Sequence, residues 1–189
     1  MKNTIIAIKL FLILTLIIGV IYPLCITGIA QIAFPVKANG SILSNNQKII
    51  GTELIGQQFT KPEFFWGRPS AIGNNPMPSG GSNLNPVGNA LKAQILSRID
   101  TIRKYHVNVQ KNEIPIDLLF ASGSGVDPHV SPEAIYFQIE RIVNYRHFTN
   151  EQKKKLNKII ESLIEPPNLL IFGEARINVL KLNLKLLEI

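Results

Sequence analysis

Asp127 and His129 are the first residues in this chain whose types and spacing could do chemistry. They stand on either side of Pro128, so the Asp127 carboxylate could orient the His129 imidazole as a general base. The same aspartate could instead fix a turn through its own side chain. A general base also needs a pocket and a substrate group within reach, so we keep both interpretations and expect no catalytic residue.

A second candidate is PMPSGGSNLNP, residues 76–86, because a glycine-rich loop ahead of a helix can bind an anion through its backbone N–H groups. Arg68, upstream, could add a guanidinium group. A phosphate loop of the P-loop type would end in Gly-Lys-Ser/Thr, and no lysine lies nearby. A rigid loop shaped for a protein partner is therefore the competing interpretation. The residues concerned are Ser79, Gly80, Gly81, Ser82 and Asn83.

Other chemistries find little support in the sequence. Gly-x-Ser-x-Gly is absent, and Pro128 stands where a dinucleotide-binding fingerprint needs its third glycine. The three histidines do not have zinc-ligand spacing, and Cys25 is the only cysteine, so we expect no metal site and no intrachain disulfide. The net charge of +7 includes one dense run, Lys153–Lys155, which fits a solvated helix face. No basic stripe with interleaved aromatics is present, so nucleic acid is not an expected partner.

The N-terminal segment is apolar enough to anchor the chain in a membrane. Residues 10–34 carry no charge and exceed the roughly 20 apolar residues that a spanning helix needs. A cleaved signal peptide is the alternative, but the apolar run is longer than a signal h-region. We therefore predict an anchor in residues 1–36, contacting the lipid bilayer, and one α+β domain in residues 37–189. Lysines flank both ends of the span, so the charge rule does not orient it.

Within residues 37–189, apolar periodicity and caps predict the elements that hold the candidate residues. We expect a hairpin over residues 40–51, turned at its asparagines, and an irregular segment over 61–86. Asn85-Pro86 predicts a helix start, continuing to about Lys104, with an inner stripe from Val87 to Ile102. Ile116 to Ala121 has the composition of a short buried strand.

The C-terminal third predicts two more helices and a strand. Ser131-Pro132 starts one helix, with an inner apolar stripe from Ile135 to Val143. Thr149 with Gln152 forms a capping box for the next helix, whose stripe runs from Leu156 to Leu163. From Leu180 to Leu186 leucines alternate with polar residues, which is typical of a half-buried strand, with a bulge between Val179 and Leu180.

Four blocks of this sequence stand out: FFWGRPSA (64–71), SGGSNLNP (79–86), ASGSGVDPHVSP (121–132) and GEARINVLKLNL (173–184). Together they closely resemble the C subunit of Kdp-type potassium-transporting ATPases of bacteria. Their order and spacing, the chain length and the single N-terminal span all fit.

The resemblance implies a non-catalytic subunit of a high-affinity potassium pump in the inner membrane. Its partners would be a potassium-channel-like subunit and a P-type ATP-hydrolysing subunit, and its larger domain would be extracytoplasmic. It would serve assembly and coupling, with no cofactor of its own. The alternative that the family suggests is an accessory factor raising ATP affinity, with ATP near Arg68 and Ser79–Asn83. In the assembly role, aromatic and loop residues would contact the partner subunits, namely Phe64, Phe65, Trp66, Asp127 and His129.

Overall fold

An N-terminal helix makes up most of the first of two units, Met1–Thr52. The structure, a computed structural model, describes residues 2–45, 48–106, 109–169 and 171–189. The helix consists of α1 (Lys2–Leu16), one π-helical stretch (Ile17–Ile21) and α2 (Tyr22–Ala33). Its 32 residues are long and apolar enough to cross a membrane, and the protein buries none of its most apolar stretch.

The π-helical stretch has a local cause. Pro23 lacks the N–H group that would bond to the carbonyl of Gly19, four residues earlier, and its ring crowds that carbonyl. A widened turn relieves the crowding. The helix begins at Lys2, ahead of the predicted start near residue 10, and at about 1.5 Å per residue it exceeds a hydrocarbon core of about 30 Å.

A short helix, α3 (Pro35–Ala38), and an antiparallel hairpin complete this unit. The hairpin pairs β1 (Ile42–Asn45) with β2 (Lys48–Thr52), and its register shifts between Leu43 and Ser44. The predicted hairpin is confirmed, while the centre of its predicted turn, residues 46–47, lies outside the described residues.

The second unit, Glu53–Ile189, places helices around one hydrophobic core. The predicted capped helices are both confirmed, because Ser131 caps the helix Pro132–Arg146 and Thr149 with Gln152 forms the capping box of the helix Asn150–Leu163. The fully buried side chains include Phe65, Ile135, Ile142, Leu156 and Ile160. The elements of this unit are α4 (Asn89–Tyr105), a 3₁₀ turn (Lys111–Glu113), α5 (Ile116–Leu119), β3 (His129–Val130), α6 (Pro132–Arg146), α7 (Asn150–Leu163), β4 (Ile177–Asn178) and α8 (Val179–Leu186).

The predicted start of α4 at Asn85-Pro86 is wrong. The Asn85 side chain accepts the N–H of Val87 at 3.1 Å, and its carbonyl accepts the N–H of Gly88 at 2.9 Å. These bonds close a separate turn, so the helix begins only at Asn89. The predicted inner stripe is correspondingly split: Ile99 and Ile102 are in the core, whereas Val87 is 91% exposed.

The predicted strand over residues 116–121 is also wrong. Ile116–Leu119 is one helical turn that buries Leu118 and Leu119 and leaves Ile116 exposed. Two adjacent buried leucines cannot point to the same side of a strand, whereas a helical turn brings both toward one core.

The C-terminal leucines form a helix, so the predicted strand and bulge are wrong. Asn178 ends β4 and accepts the N–H of Lys181 at 3.1 Å, which caps α8. Residues three and four apart then share a face, and that face is buried. It consists of Val179, Leu182, Asn183 and Leu186.

Candidate functional site

Asp127 and His129 lie together at the start of β3, which pairs with β4 and sets His129 opposite Asn178. Asp127 Oδ1 accepts the backbone N–H of His129 at 3.0 Å, which forms the predicted turn. The same oxygen lies 3.5 Å from His129 Nδ1. The carboxylate therefore fixes the turn and faces the imidazole at once.

Arg68 joins this pair. Its guanidinium donates from one terminal nitrogen to Asp127 Oδ2 at 3.3 Å, and its Nε lies 3.8 Å from Asp117 Oδ1. The other oxygen of Asp117 accepts the N–H of Ser131 at 2.8 Å, at the start of α6. Arg68 thus bridges two carboxylates, one on α5 and one on the loop before β3. Among the described residues no hydrogen bond joins it to Ser79–Asn83.

The charges in this cluster keep Asp127 ionised. Burial alone would raise the pKa of its carboxyl group, but hydrogen bonds from His129 and the positive charge of Arg68 outweigh burial. The pKa of Asp127 is therefore held below its ordinary value.

A cleft of about 860 Å³ opens beside the cluster. Its lining includes five carboxylates and two arginines, so its surface is polar and predominantly acidic: Glu113, Asp117, Asp127, Glu133, Glu174, Arg68 and Arg176. Ser131 carries the only hydroxyl group in that described lining, and this oxygen already accepts the N–H of Ala134 at 3.2 Å as the cap of α6. The described residues contain no group of three or more potential ligands that could hold a metal ion.

The glycine-rich loop packs against a second glycine-rich loop. Gly80 donates its N–H to the carbonyl of Ser124 at 3.0 Å. A Cβ on Gly81 would lie 2.9 Å from the carbonyl oxygen of Gly123, and one on Gly125 would lie 2.5 Å from that of Gly80. Gly81 and Gly125 are thus needed for the close approach of the two backbones.

The aromatic segment, residues 62–67, crosses the core without regular structure. Asn183 forms two hydrogen bonds with the backbone of Phe65, each 2.9 Å, and Gln138 bonds the N–H and carbonyl of Trp66 at 2.7 and 3.1 Å. The two amide side chains take the place of a neighbouring strand. Phe65 is fully buried, whereas Phe64 and Trp66 are partly buried against the core.

Arg141 is buried beneath this segment. Its guanidinium donates to the carbonyls of Pro62 and Phe64 and to Gln138, and lies 3.9 Å from the centre of the Trp66 ring. Burial lowers the pKa of Arg141 to about 9, so the group remains charged at neutral pH. The arrangement holds the aromatic segment through carbonyl oxygens and a cation–π contact.

The sequence analysis did not identify Asp117, Gln138, Arg141 or Asn183. Gln138 and Arg141 were detectable, because they fall among the apolar positions of the predicted α6 stripe and a polar residue there needs a buried partner. Asn183 was hidden by the strand interpretation, which placed it on the solvent side.

Comparison with known proteins decides the family. The family model for KdpC, described as the K+-transporting ATPase c chain, matches residues 4–188. This chain belongs to the KdpC family. It is 45% identical over 183 residues to the potassium-transporting ATPase KdpC subunit of Janthinobacterium sp. (strain Marseille), covering 95% of each chain. It is 46% identical to the KdpC subunit of Polaromonas naphthalenivorans (strain CJ2) over 95% of this chain and 91% of the relative.

A third KdpC subunit, from Caldanaerobacter subterraneus, is 42% identical over 96% of this chain and 92% of the relative. The expected family is confirmed, and the chain is a subunit of a potassium-transporting ATPase.

The four blocks that resembled the KdpC family form one cluster in space around residues 121–132. Block 64–71 joins it through Arg68 and through Ser70, which donates to the carbonyl of Gly125 at 2.6 Å. Block 79–86 joins it through the two glycine-rich loops, and block 173–184 through the pairing of β3 with β4. The cluster contains the cleft and most of the predicted site residues.

Proposed function

We propose that this chain is a non-catalytic subunit of an ATP-driven potassium import complex in the bacterial inner membrane. The match to the K+-transporting ATPase c chain over residues 4–188 carries the proposal. Helix Lys2–Ala33 would be the single span. The bulk of the chain, residues 37–189, would lie outside the cytoplasm.

In this proposal the subunit serves assembly and coupling between a channel-like subunit and a P-type ATP-hydrolysing subunit. The cleft beside Arg68, Asp127 and His129 would contact a partner, because its charged side chains are preformed and half-buried. Phe64 and Trp66 would contribute partly exposed aromatic surface. Phe65 would not touch the partner itself; its buried ring would hold the aromatic segment in the core.

The assembly role can be tested by changing the anchor. Deleting residues 1–34 should release the remaining chain from the pump and abolish potassium-stimulated ATPase activity of the assembled complex. A control variant carries an unrelated apolar helix of the same length, which restores tethering without specific packing. If the deleted chain still supports full activity, the anchoring role is refuted.

The extracytoplasmic placement needs a separate test. Asp100→Cys, at an exposed position of α4, is introduced together with Cys25→Ala. A membrane-impermeant maleimide applied to intact cells from which the outer membrane has been removed should label residue 100. Labelling only after the inner membrane is opened would place the unit in the cytoplasm.

The nucleotide-accessory alternative has less support in the contacts. Arg68 faces two carboxylates, which repel phosphate, and the N–H of Gly80 is already bonded. Isothermal calorimetry of the full chain with millimolar ATP separates the two functions. Absence of heat favours the assembly role, whereas binding that Arg68→Ala abolishes would favour the alternative.

A further inference from the structure

The loop between α7 and β4 ends in an apolar tip formed by Leu169, Ile171 and Phe172. Its base is closed by two backbone hydrogen bonds between Glu165 and Arg176, 2.8 and 3.0 Å, and by their ion pair at 3.0 Å. Nearer the tip, Asn168 and Phe172 exchange backbone hydrogen bonds of 2.8 and 2.9 Å. The loop is therefore a narrow, hydrogen-bonded projection.

The tip places three large apolar side chains in solvent within four consecutive positions of the chain. Leu169, Ile171 and Phe172 are 82%, 77% and 64% exposed. The backbone bonds fix this exposure, and Leu169 adopts a φ of 53°, a left-handed conformation that is costly for a leucine. A strained backbone that holds apolar groups in solvent indicates a contact surface.

We propose that this apolar tip inserts into the interfacial region of the same bilayer that the N-terminal helix spans. Residues 166–173 carry no charge; of the two acids that flank them, Glu165 is paired with Arg176, and Glu174 lines the cleft beside Asp127. Leucine, isoleucine and phenylalanine are the side chains with which interfacial segments enter the acyl boundary. A projecting loop can insert into a bilayer without a pocket of matching shape, because lipid chains rearrange around it.

Chain connectivity favours lipid as the occupant. The proposal rests on the membrane anchor of the proposed function: nineteen residues, 34–52, separate helix Lys2–Ala33 from the second unit. Even a fully extended chain of that length spans at most about 65 Å. Tethering on this scale keeps the tip at a high effective concentration near the membrane, so weak insertion suffices.

The test uses the full chain with Cys25→Ala in nanodiscs of phosphatidylethanolamine and phosphatidylglycerol, without partner subunits. A nitroxide is attached at Ile171→Cys or, as a control, at the exposed Lys154→Cys of α7. Collisions with oxygen report lipid, and collisions with a water-soluble nickel chelate report solvent. At residue 171 we expect oxygen accessibility to rise and nickel accessibility to fall about five-fold relative to residue 154, as for an interfacial segment.

A second variant, Ile171→Cys with Leu169→Asp and Phe172→Asp, should return nickel accessibility to the control value. High nickel accessibility at residue 171 in the first variant would overturn the proposal. Shielding from both probes that appears only after partner subunits are added would also overturn it, in favour of a protein pocket. A label at Leu12→Cys checks the anchor: if that label contacts water, the anchor of the proposed function fails, and the tip proposal with it.

Discussion

Replacing His106 with phenylalanine should remove about 2 kcal/mol of the stability that the unit Glu53–Ile189 loses between pH 8 and pH 5. The imidazole is only 7% exposed, stacks on Phe137 with ring centres 4.7 Å apart, and has Nδ1 3.0 Å from the carbonyl of Ile102. Burial is the main cause that lowers the pKa of His106 to about 4. The charge of Arg141 adds to it, and the bond to Ile102 opposes it.

The sign and size follow from proton linkage. The pKa of His106 is about 4 in the folded state and 6.5 ordinarily, so between these values the unfolded chain binds more protons. The free energy of unfolding is therefore highest above pH 6.5 and decreases as the pH falls toward 4. This shift implies a loss of about 2 kcal/mol at pH 5 and about 3 kcal/mol at pH 4.

Urea unfolding of the full chain in nanodiscs at pH 8 and pH 5 measures this loss. Trp66 is the only tryptophan, and its ring lies 6.3 Å from His106, so its fluorescence reports on this unit. His106→Phe keeps the stacked ring and should lose about 2 kcal/mol less than the parent between the two pH values. His147→Asn, at an exposed left-handed position, is the matched control and should behave like the parent. Equal losses in the parent and in His106→Phe would refute the reasoning.

Three further predictions concern stability, each measured by thermal unfolding of the full chain. Gly81→Ala should lower the free energy of unfolding by about 1–3 kcal/mol, because its Cβ would lie 2.9 Å from the carbonyl of Gly123. Gly80→Ala is the control and should be neutral or slightly stabilising, because a Cβ there meets nothing within 4 Å. Equal effects of the two substitutions would contradict backbone packing as the role of this loop. Arg141→Met should lower the free energy of unfolding by about 2–4 kcal/mol, because two carbonyls of the aromatic segment lose their buried donor. An unchanged thermal unfolding midpoint would show that water replaces the guanidinium group. Asn178→Ala should lower the free energy of unfolding by about 1–3 kcal/mol, since it removes both the cap of α8 and a 2.8 Å hydrogen bond to the carbonyl of Glu53. A decrease below about 0.5 kcal/mol would contradict the capping role.

Local signals predicted the helices well where caps and core stripe agreed. Ser131-Pro132 and the Thr149–Gln152 capping box each occur in a few adjacent residues, and the bonds that they form close within one turn. No partner elsewhere in the chain is needed to decide them. Asn85-Pro86 shares with Ser131-Pro132 the pattern of a capping residue followed by proline, but it closes a separate turn, because its side-chain bond reaches only two residues ahead.

The C-terminal leucines show why periodicity alone failed. Leu180, Leu182 and Leu186 satisfy a period of two, yet Leu182 and Leu186 also stand four apart on one helical face. The local cap bond of Asn178 to Lys181 and the burial of Asn183 select the helix. The burial of Asn183 depends on a distant segment, because its partner is the backbone of Phe65. Arg68 likewise pairs with Asp127 across 59 residues, a contact that neither local pattern specifies.

The cluster around residues 121–132 favours a protein contact over a phosphate site on energetic grounds. The N–H of Gly80 is bonded to Ser124, and that of Ser122 to the carbonyl of Pro69 at 3.0 Å, so neither is free for an anion. Binding phosphate through these groups would break bonds that hold two loops together, at about 1 kcal/mol each. A protein partner meets a surface that is already ordered and loses little conformational entropy on docking. The glycines therefore serve the shape of the surface by allowing two backbones to approach, which supports the proposed contact with a partner subunit.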